Sequence, residues 1–222
     1  MNIGFSDGWF RRRMMRLTPF EKWAVNNPSH AQHTVQTALS LLEYVDLPTQ
    51  PRCLEIGCGQ GALTRLLVER CDVRMTASDC DPDQVALAQE RLADLQGQVD
   101  FRVVDGRAMP FEDAHFDAVF SFGVLHHIPG GWRQVIAEVA RVLEPHGWFV
   151  FTDFVLLPRA GCAFRRLLPR LDQMEEAALH RSLAENGLHL GHYERGRALL
   201  VGVMRYCIGV ARLEGQTGSA IV

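Results

Sequence analysis

Cys53-Leu54-Glu55-Ile56-Gly57-Cys58-Gly59-Gln60-Gly61-Ala62-Leu63-Thr64 is the stretch on which the fold turns. Apolar residues at 53, 54 and 56 read as a buried strand, the three alternate glycines as a sharp turn, and Ala62 onward as the start of a helix. Gly57, Gly59 and Gly61 reach backbone angles closed to other residues and put no side chain between the main chain and a ligand. Strand, glycine turn and helix in this order read as a loop for a nucleotide-type cofactor, which can lie against bare backbone.

The same residues satisfy a second pattern. Gly57-x-Gly59-x-x-Ala62 fits the dinucleotide fingerprint, which tolerates alanine at its third position and wants an acidic residue about 20 positions on. Asp79 supplies that acid. Loop and Asp79 alone leave a nicotinamide dinucleotide and S-adenosylmethionine undecided.

Outward from the loop, strands are expected at about 52–57, 73–78, 100–104, 116–121 and 147–153, with helices at about 61–70, 82–95 and 131–143. Asp81-Pro82 is a helix start, aspartate as cap and proline in the first turn. Such alternation implies an α/β fold with a doubly wound, mostly parallel sheet and helices on both faces, because parallel neighbours need a crossover. Ligands then bind at the carboxyl ends of the strands. Residues 1–50 read as an N-terminal helical cap bearing the substrate segment, 51–206 as the cofactor-binding domain and 207–222 as a C-terminal tail. Within the domain a helix after Pro169 runs to Asn186-Gly187, followed by a hairpin of Leu188–Tyr193 and Ala198–Arg205 that turns at Glu194-Arg195-Gly196-Arg197.

The 222 residues, 47% of them apolar, suit one domain of ordinary size. A formal charge of -3 gives no global attraction to nucleic acid, so no nucleic-acid partner is expected. The one basic cluster, Arg11-Arg12-Arg13 with Arg16, is a candidate for peripheral contact with a membrane surface, its plainer reading being a solvated helix face. There is no signal-like apolar segment and no run of 18 apolar residues, so a cytoplasmic chain without an integral span is expected. Six cysteines without a C-x-x-C pair favour reduced thiols over a metal site.

Polar residues fall at successive strand ends: Glu55, Asp79, Asp105, then Ser121-Phe122. Together with Leu54–Gly61, Ser78-Asp79, Asp105–Phe111, Phe116–Val119, Val124-Leu125-His126-His127-Ile128 and Arg141–Gly147, they make the chain resemble the class I S-adenosylmethionine-dependent methyltransferases, in particular the small-molecule group. A dinucleotide enzyme explains the loop and Asp79 but not Asp105-Gly106 or Leu125-His126-His127. The resemblance implies a seven-stranded Rossmann-like sheet of order 3-2-1-4-5-7-6. It implies a cofactor site of Glu55, Gly57, Cys58, Gly59, Gly61, Asp79, Cys80, Asp105, Gly106, Arg107, Ser121, Phe122 and His126, with S-adenosylhomocysteine as product. Asp79 suits the ribose hydroxyls, Asp105 the adenine amino group, and Glu55 either the ordering of the loop or the cofactor's ammonium through water. Cys80 is expected to pack as a small hydrophobe.

For catalysis the candidates are His126, because imidazole titrates near neutral pH, and Asp153 at the fifth strand end, with His30 and His33 behind them. Structural roles for the paired histidines are the plainer reading. Ser121-Phe122-Gly123-Val124 differs from the N/D-P-P-Y/F run of amino methyltransferases, and Phe154 after Asp153 departs from magnesium-dependent relatives, so metal-independent transfer is expected. Trp9, Phe10, Trp23, Phe154, Phe164 and Leu167 are candidates to line an acceptor pocket. The acceptor atom and the oligomeric state stay open. A non-catalytic cofactor-binding partner subunit and a NAD-type oxidoreductase are the alternatives.

Overall fold

Asn27 opens the first described helix as a capping residue should, its side chain accepting from the Ser29 N–H at 2.9 Å with Pro28 in the first turn. The computed structural model describes residues 27–128, 130–157, 174–199 and 204–215. The Arg11–Arg16 cluster, Trp9, Phe10, Trp23, Phe164 and Leu167 lie outside them.

Helix α1 (Pro28–Leu42) precedes an alternation of β1 (Arg52–Ile56), α2 (Ala62–Cys71), β2 (Arg74–Asp79), α3 (Pro82–Arg91), β3 (Val99–Val103), β4 (Phe116–Phe122), α4 (Trp132–Val142) and β5 (Leu143–Leu156). Helix α5 (Glu176–Glu185), β6 (Leu188–Leu199) and β7 (Met204–Leu213) follow among the described residues. The cap foreseen at Asp81 is present, its carboxylate accepting from the Asp83 N–H at 3.0 Å. The strands form one seven-stranded sheet in the order β3-β2-β1-β4-β5-β7-β6, parallel except where β7 pairs antiparallel with β5 and β6.

Side chains alternate across this sheet and so build a core on each face. Ala118 and Phe120 of β4, Val150 of β5 and Val210 of β7 pack with Leu63, Leu66 and Leu67 of α2 and Ala38 and Leu41 of α1. Val119, Phe149, Phe151 and Ala211 face the other way, against Val135, Ile136 and Val139 of α4 and Leu179 and Leu183 of α5. Burial of both faces explains why β1 and β4 read as apolar runs rather than alternating strands.

Two expectations are corrected. Glu194-Arg195-Gly196-Arg197 is not the hairpin turn: β6 continues through it to Leu199, with register shifts between Leu190 and His192 and between Arg195 and Ala198. β6 is an edge strand, where bulges are accommodated and exposed charges such as Glu194 and Arg195 are expected. Residues 200–203, between β6 and β7, lie outside the described residues. Nor does a tail begin at 207, because residues 207–213 belong to β7, and Cys207, Val210 and Ala211 are buried in the sheet.

Gly209 of β7 sits opposite Phe151, and an added Cβ would lie 2.3 Å from that ring. Gly209→Ala is expected to cost about 1–3 kcal/mol through overpacking. Urea unfolding at matched m-value measures it; an unchanged midpoint would contradict this packing.

Candidate active site

The glycine turn is built by the strands around it. Cys58 N–H donates to the Ser78 carbonyl at 2.8 Å and Gly61 N–H to the Cys58 carbonyl at 2.8 Å, which pins the loop after β1 onto the end of β2. Gly57, Gly59 and Gly61 all have positive φ, at 73°, 50° and 84°. A Cβ on Gly57 would meet Val124 Cγ2 at 2.4 Å, whereas one on Gly59 would meet nothing within 4 Å. Gly57 therefore serves close packing against the loop after β4, and Gly59 faces open space.

Asp79 ends β2 beside this loop, 7% exposed. Its Oδ2 accepts from the Gly59 N–H at 3.1 Å and its Oδ1 from the Asp81 N–H at 2.9 Å. Burial raises its carboxyl above the ordinary range, and those two backbone donors oppose the rise. With the Cys80 thiol as a third donor, the carboxylate still keeps acceptor capacity on its two oxygens.

Glu55, 3% exposed, accepts from the Thr64 hydroxyl in the first turn of α2. Burial pushes its carboxyl up to about 7, the Thr64 hydrogen bond pulling against it and the Asp79 charge adding to it. This bond ties β1 to α2 across the turn, as the loop-ordering reading requires.

Cys80, Asp105 and Arg107 make a neighbouring rim, while Gly106 between them is buried near Ile56 and Val135. The Cys80 thiol is pushed up to about 12 by burial and then by the surrounding Asp79, Asp105 and Asp81 charges, so it stays protonated, and it hydrogen-bonds the Asp79 carboxylate. The Asp105 carboxylate receives the Arg107 guanidinium through Nε at 2.9 Å and a terminal nitrogen at 2.7 Å, and also the Arg107 N–H at 3.0 Å. Asp105 is thus held by its own turn, a partner that sequence spacing did not reveal.

After β4 the chain is organised by a second buried carboxylate. Asp153 on β5 is fully buried; its Oδ2 accepts from the Leu125 N–H at 2.7 Å, and its Oδ1 from the His126 and Phe154 N–H groups at 3.2 and 2.7 Å. The same Oδ1 stands 2.8 Å from His126 Nδ1. Ser121, fully buried, has a hydroxyl with no hydrogen-bond partner, and Phe122 is half-buried.

A cleft at the carboxyl ends of β1, β2 and β4 gathers part of this set: Glu55, Gly57, Cys58, Gly59 and Asp79 face Phe122, Val124 and His127 across it. Ala31 and Thr34 of α1 line it too. Cys80, Asp105, Gly106, Arg107, Ser121 and His126 do not line that cleft as it stands, whereas His127, the second histidine, does. Val124, Ala31 and Thr34 were missed in the sequence. Val124 stood in the Val124–Ile128 segment, but nothing in the sequence set it against Gly57, and the α1 residues carried no signal, since only the docking of α1 brings them there.

Residues 53–147 match the methyltransferase domain family. A 27-O-demethylrifamycin SV methyltransferase of Amycolatopsis mediterranei is 33% identical over 138 residues, 61% of this chain and 50% of that protein. A ubiquinone biosynthesis O-methyltransferase of Xanthomonas axonopodis pv. citri is 30% identical over 184 residues, 76% of this chain and 75% of that protein. The chain belongs to the class I S-adenosylmethionine-dependent methyltransferases. The chain spans about half the length or less of several other curated relatives it matches. A geranyl diphosphate C-methyltransferase from Streptomyces coelicolor A3(2), solved with Mg2+, geranyl-S-thiolodiphosphate and S-adenosyl-L-homocysteine, superposes with a TM-score of 0.71 at 16% identity, over 89% of this chain and 81% of that one, a likeness of fold.

The buried Glu55 makes the stability of this chain depend on pH. Because its folded-state affinity for a proton exceeds that of the unfolded chain, the folded state takes up a proton between pH 4.5 and about 7, so its contribution is full below that window and lost as pH rises through it. The loss is on the order of 3 kcal/mol. Glu55→Gln removes it, and the melting temperature of the variant relative to wild type is expected to climb from pH 4.5 to 7.5. A difference independent of pH would refute the assignment.

Proposed function

We propose that this chain transfers the methyl group of S-adenosylmethionine to a small-molecule acceptor. One observation carries the reading: Asp79, a buried carboxylate with spare acceptor capacity, shares a cleft with the bare backbone of Gly57 and Gly59. The residues fit the cofactor. Asp79 would accept the ribose hydroxyls, and the turn at Gly57–Gly61 with the start of α2 would take the amino-acid end, whose carboxylate suits a helix N-terminus. Glu55 suits the ammonium, and the Asp105 rim with Cys80 suits adenine.

When bound, the cofactor supplies a methyl carbon on a sulfonium, already attached to a good leaving group. The protein's share is to align an acceptor with that carbon and to exclude water, which supplies up to about 7–11 kcal/mol in favourable cases. No metal enters this reading. His126 is the proposed base. The buried Asp153 carboxylate, already held by three backbone N–H groups, accepts from the His126 Nδ1–H, which fixes the tautomer and leaves Nε2 as the proton acceptor. Asp153 acts through His126, as a positioning residue. The net charge of -3 supports a small molecule over nucleic acid as the acceptor.

Calorimetric titration with S-adenosylmethionine, S-adenosylhomocysteine and NADH is expected to give micromolar binding for the two sulfur compounds and none for NADH. Asp79→Ala is expected to weaken that binding about tenfold or more. NADH binding, or no binding of either sulfur compound, would sink the reading. Once an acceptor is in hand, His126→Asn should lower turnover about 100-fold while leaving cofactor affinity within about twofold; unaltered turnover would remove His126 from the chemistry.

A further inference from the structure

A chain of rings leads away from the cofactor cleft toward α1. His127 lines the cleft and lies against His126 with centroids 4.0 Å apart. His126 meets Phe154 edge-on at 5.0 Å, Phe154 and Tyr206 are tilted at 5.4 Å, and Tyr206 and His33 are tilted at 5.5 Å. Five rings thus come from α1, the turn after β4, β5 and β7, four segments far apart in sequence.

Phe154 and Tyr206 are not core aromatics. Their strand neighbours Val155 and Cys207 are fully buried in the core under α4 and α5, while Phe154 and Tyr206 point to the opposite face, stay half-buried and join neither hydrophobic core. Two large rings left half-open, joined through His126 to the cleft-lining His127, are the usual material of a ligand wall. Polar groups accompany them. The Tyr206 phenol lies beside the hydroxyls of Thr37 and Thr152, both buried, and burial holds it above its ordinary range, so it stays a neutral hydrogen-bonding group. His126 adds an imidazole backed by Asp153.

The wall also says what it does not suit. Asp153, the carboxylate that backs this wall, is already engaged by three backbone N–H groups and the His126 ring, so it is not offered to a cationic amine. Arg205, next to Tyr206 on β7, alternates to the opposite face and offers no counterion to an acidic acceptor.

We propose that this ring chain is the acceptor wall and that the acceptor is a planar aromatic compound bearing a phenolic hydroxyl, held against Phe154 and Tyr206 with that hydroxyl at His126. The proposal rests on the methyltransferase reading and names the substrate class of that site. In the transfer, His126 Nε2 takes the phenolic proton and the phenolic oxygen forms the new O–C bond. The C–S bond breaks with its electron pair going to sulfur, and the proton leaves the imidazolium for water.

The test uses the full chain saturated with S-adenosylhomocysteine, whose binding is measured first by calorimetry, and 2-naphthol as a fluorescent probe. Saturable 2-naphthol binding is expected, at least about tenfold tighter than competition by cyclohexanol or dimethylammonium. Phe154→Ala and Tyr206→Ala should each weaken it about fivefold or more, with S-adenosylhomocysteine affinity unchanged within about twofold, and Tyr206→Phe should keep most of it. Where an alanine variant fails to melt cooperatively, Phe154→Leu and Tyr206→Leu take its place. S-adenosylhomocysteine binding without saturable 2-naphthol binding, or naphthol affinity indifferent to both ring substitutions, would overturn the acceptor assignment alone, as would tighter binding of dimethylammonium. Failure to bind S-adenosylhomocysteine would instead overturn the methyltransferase reading beneath it.

Discussion

The carboxylate of Asp79 is the point on which the site depends. Its two oxygens hold the N–H groups of Gly59 and Asp81, and so join the loop after β1 to the turn that starts α3. A buried carboxylate costs free energy unless it is hydrogen-bonded, and here the bonds come from backbone groups that would otherwise lack partners. The loop conformation and the carboxylate therefore stabilise one another. Glu55 repeats the device one strand away, tying β1 to α2 through Thr64.

A second buried carboxylate does for the opposite wall what Asp79 does for the glycine loop. Asp153 gathers the N–H groups of Leu125, His126 and Phe154 together with the His126 ring. The turn after β4 is consequently a fixed structure, and Val124, which packs on Gly57, brings it up against the glycine loop. Two acidic residues on neighbouring parts of one parallel sheet thus define both walls of a cleft, and a parallel sheet is what places their strand ends on the same side.

On this frame the half-open aromatic residues have a natural place. β5 and β7 pair antiparallel with Phe154 opposite Tyr206, so both rings stand on one face near the end of β5, where His126 links them to the cleft-lining His127. α1 then brings His33 and Thr37 to Tyr206, and Ala31 and Thr34 to the cleft. The cofactor side is built from backbone and carboxylates, the proposed acceptor side from rings and hydroxyls. That division matches a charged, hydrogen-bonding cofactor and a flat acceptor of low charge.

The strand-glycine-helix order at 53–64 and the alternation after it determined the fold class, because apolar runs, a glycine turn and a capped helix at Asp81 are local signals that no tertiary contact needs to supply. Asp79 was legible for the same reason, its distance from the loop being set by one helix and one strand. The end of the chain was misread: the charged residues at 194–197 and the mixed residues after 206 carry no clear period, and only pairing of β7 between β5 and β6 shows that the sheet runs on through Leu213. The partners of the polar residues were also out of reach. Arg107 closing on Asp105, Asp153 reaching back 27 residues to His126, and Tyr206 meeting His33 of α1 are contacts across strands and faces. Sequence alone determined which residue types stand at each strand end; tertiary structure decided which of them meet, because pairing across a sheet is set by strand order and not by separation along the chain.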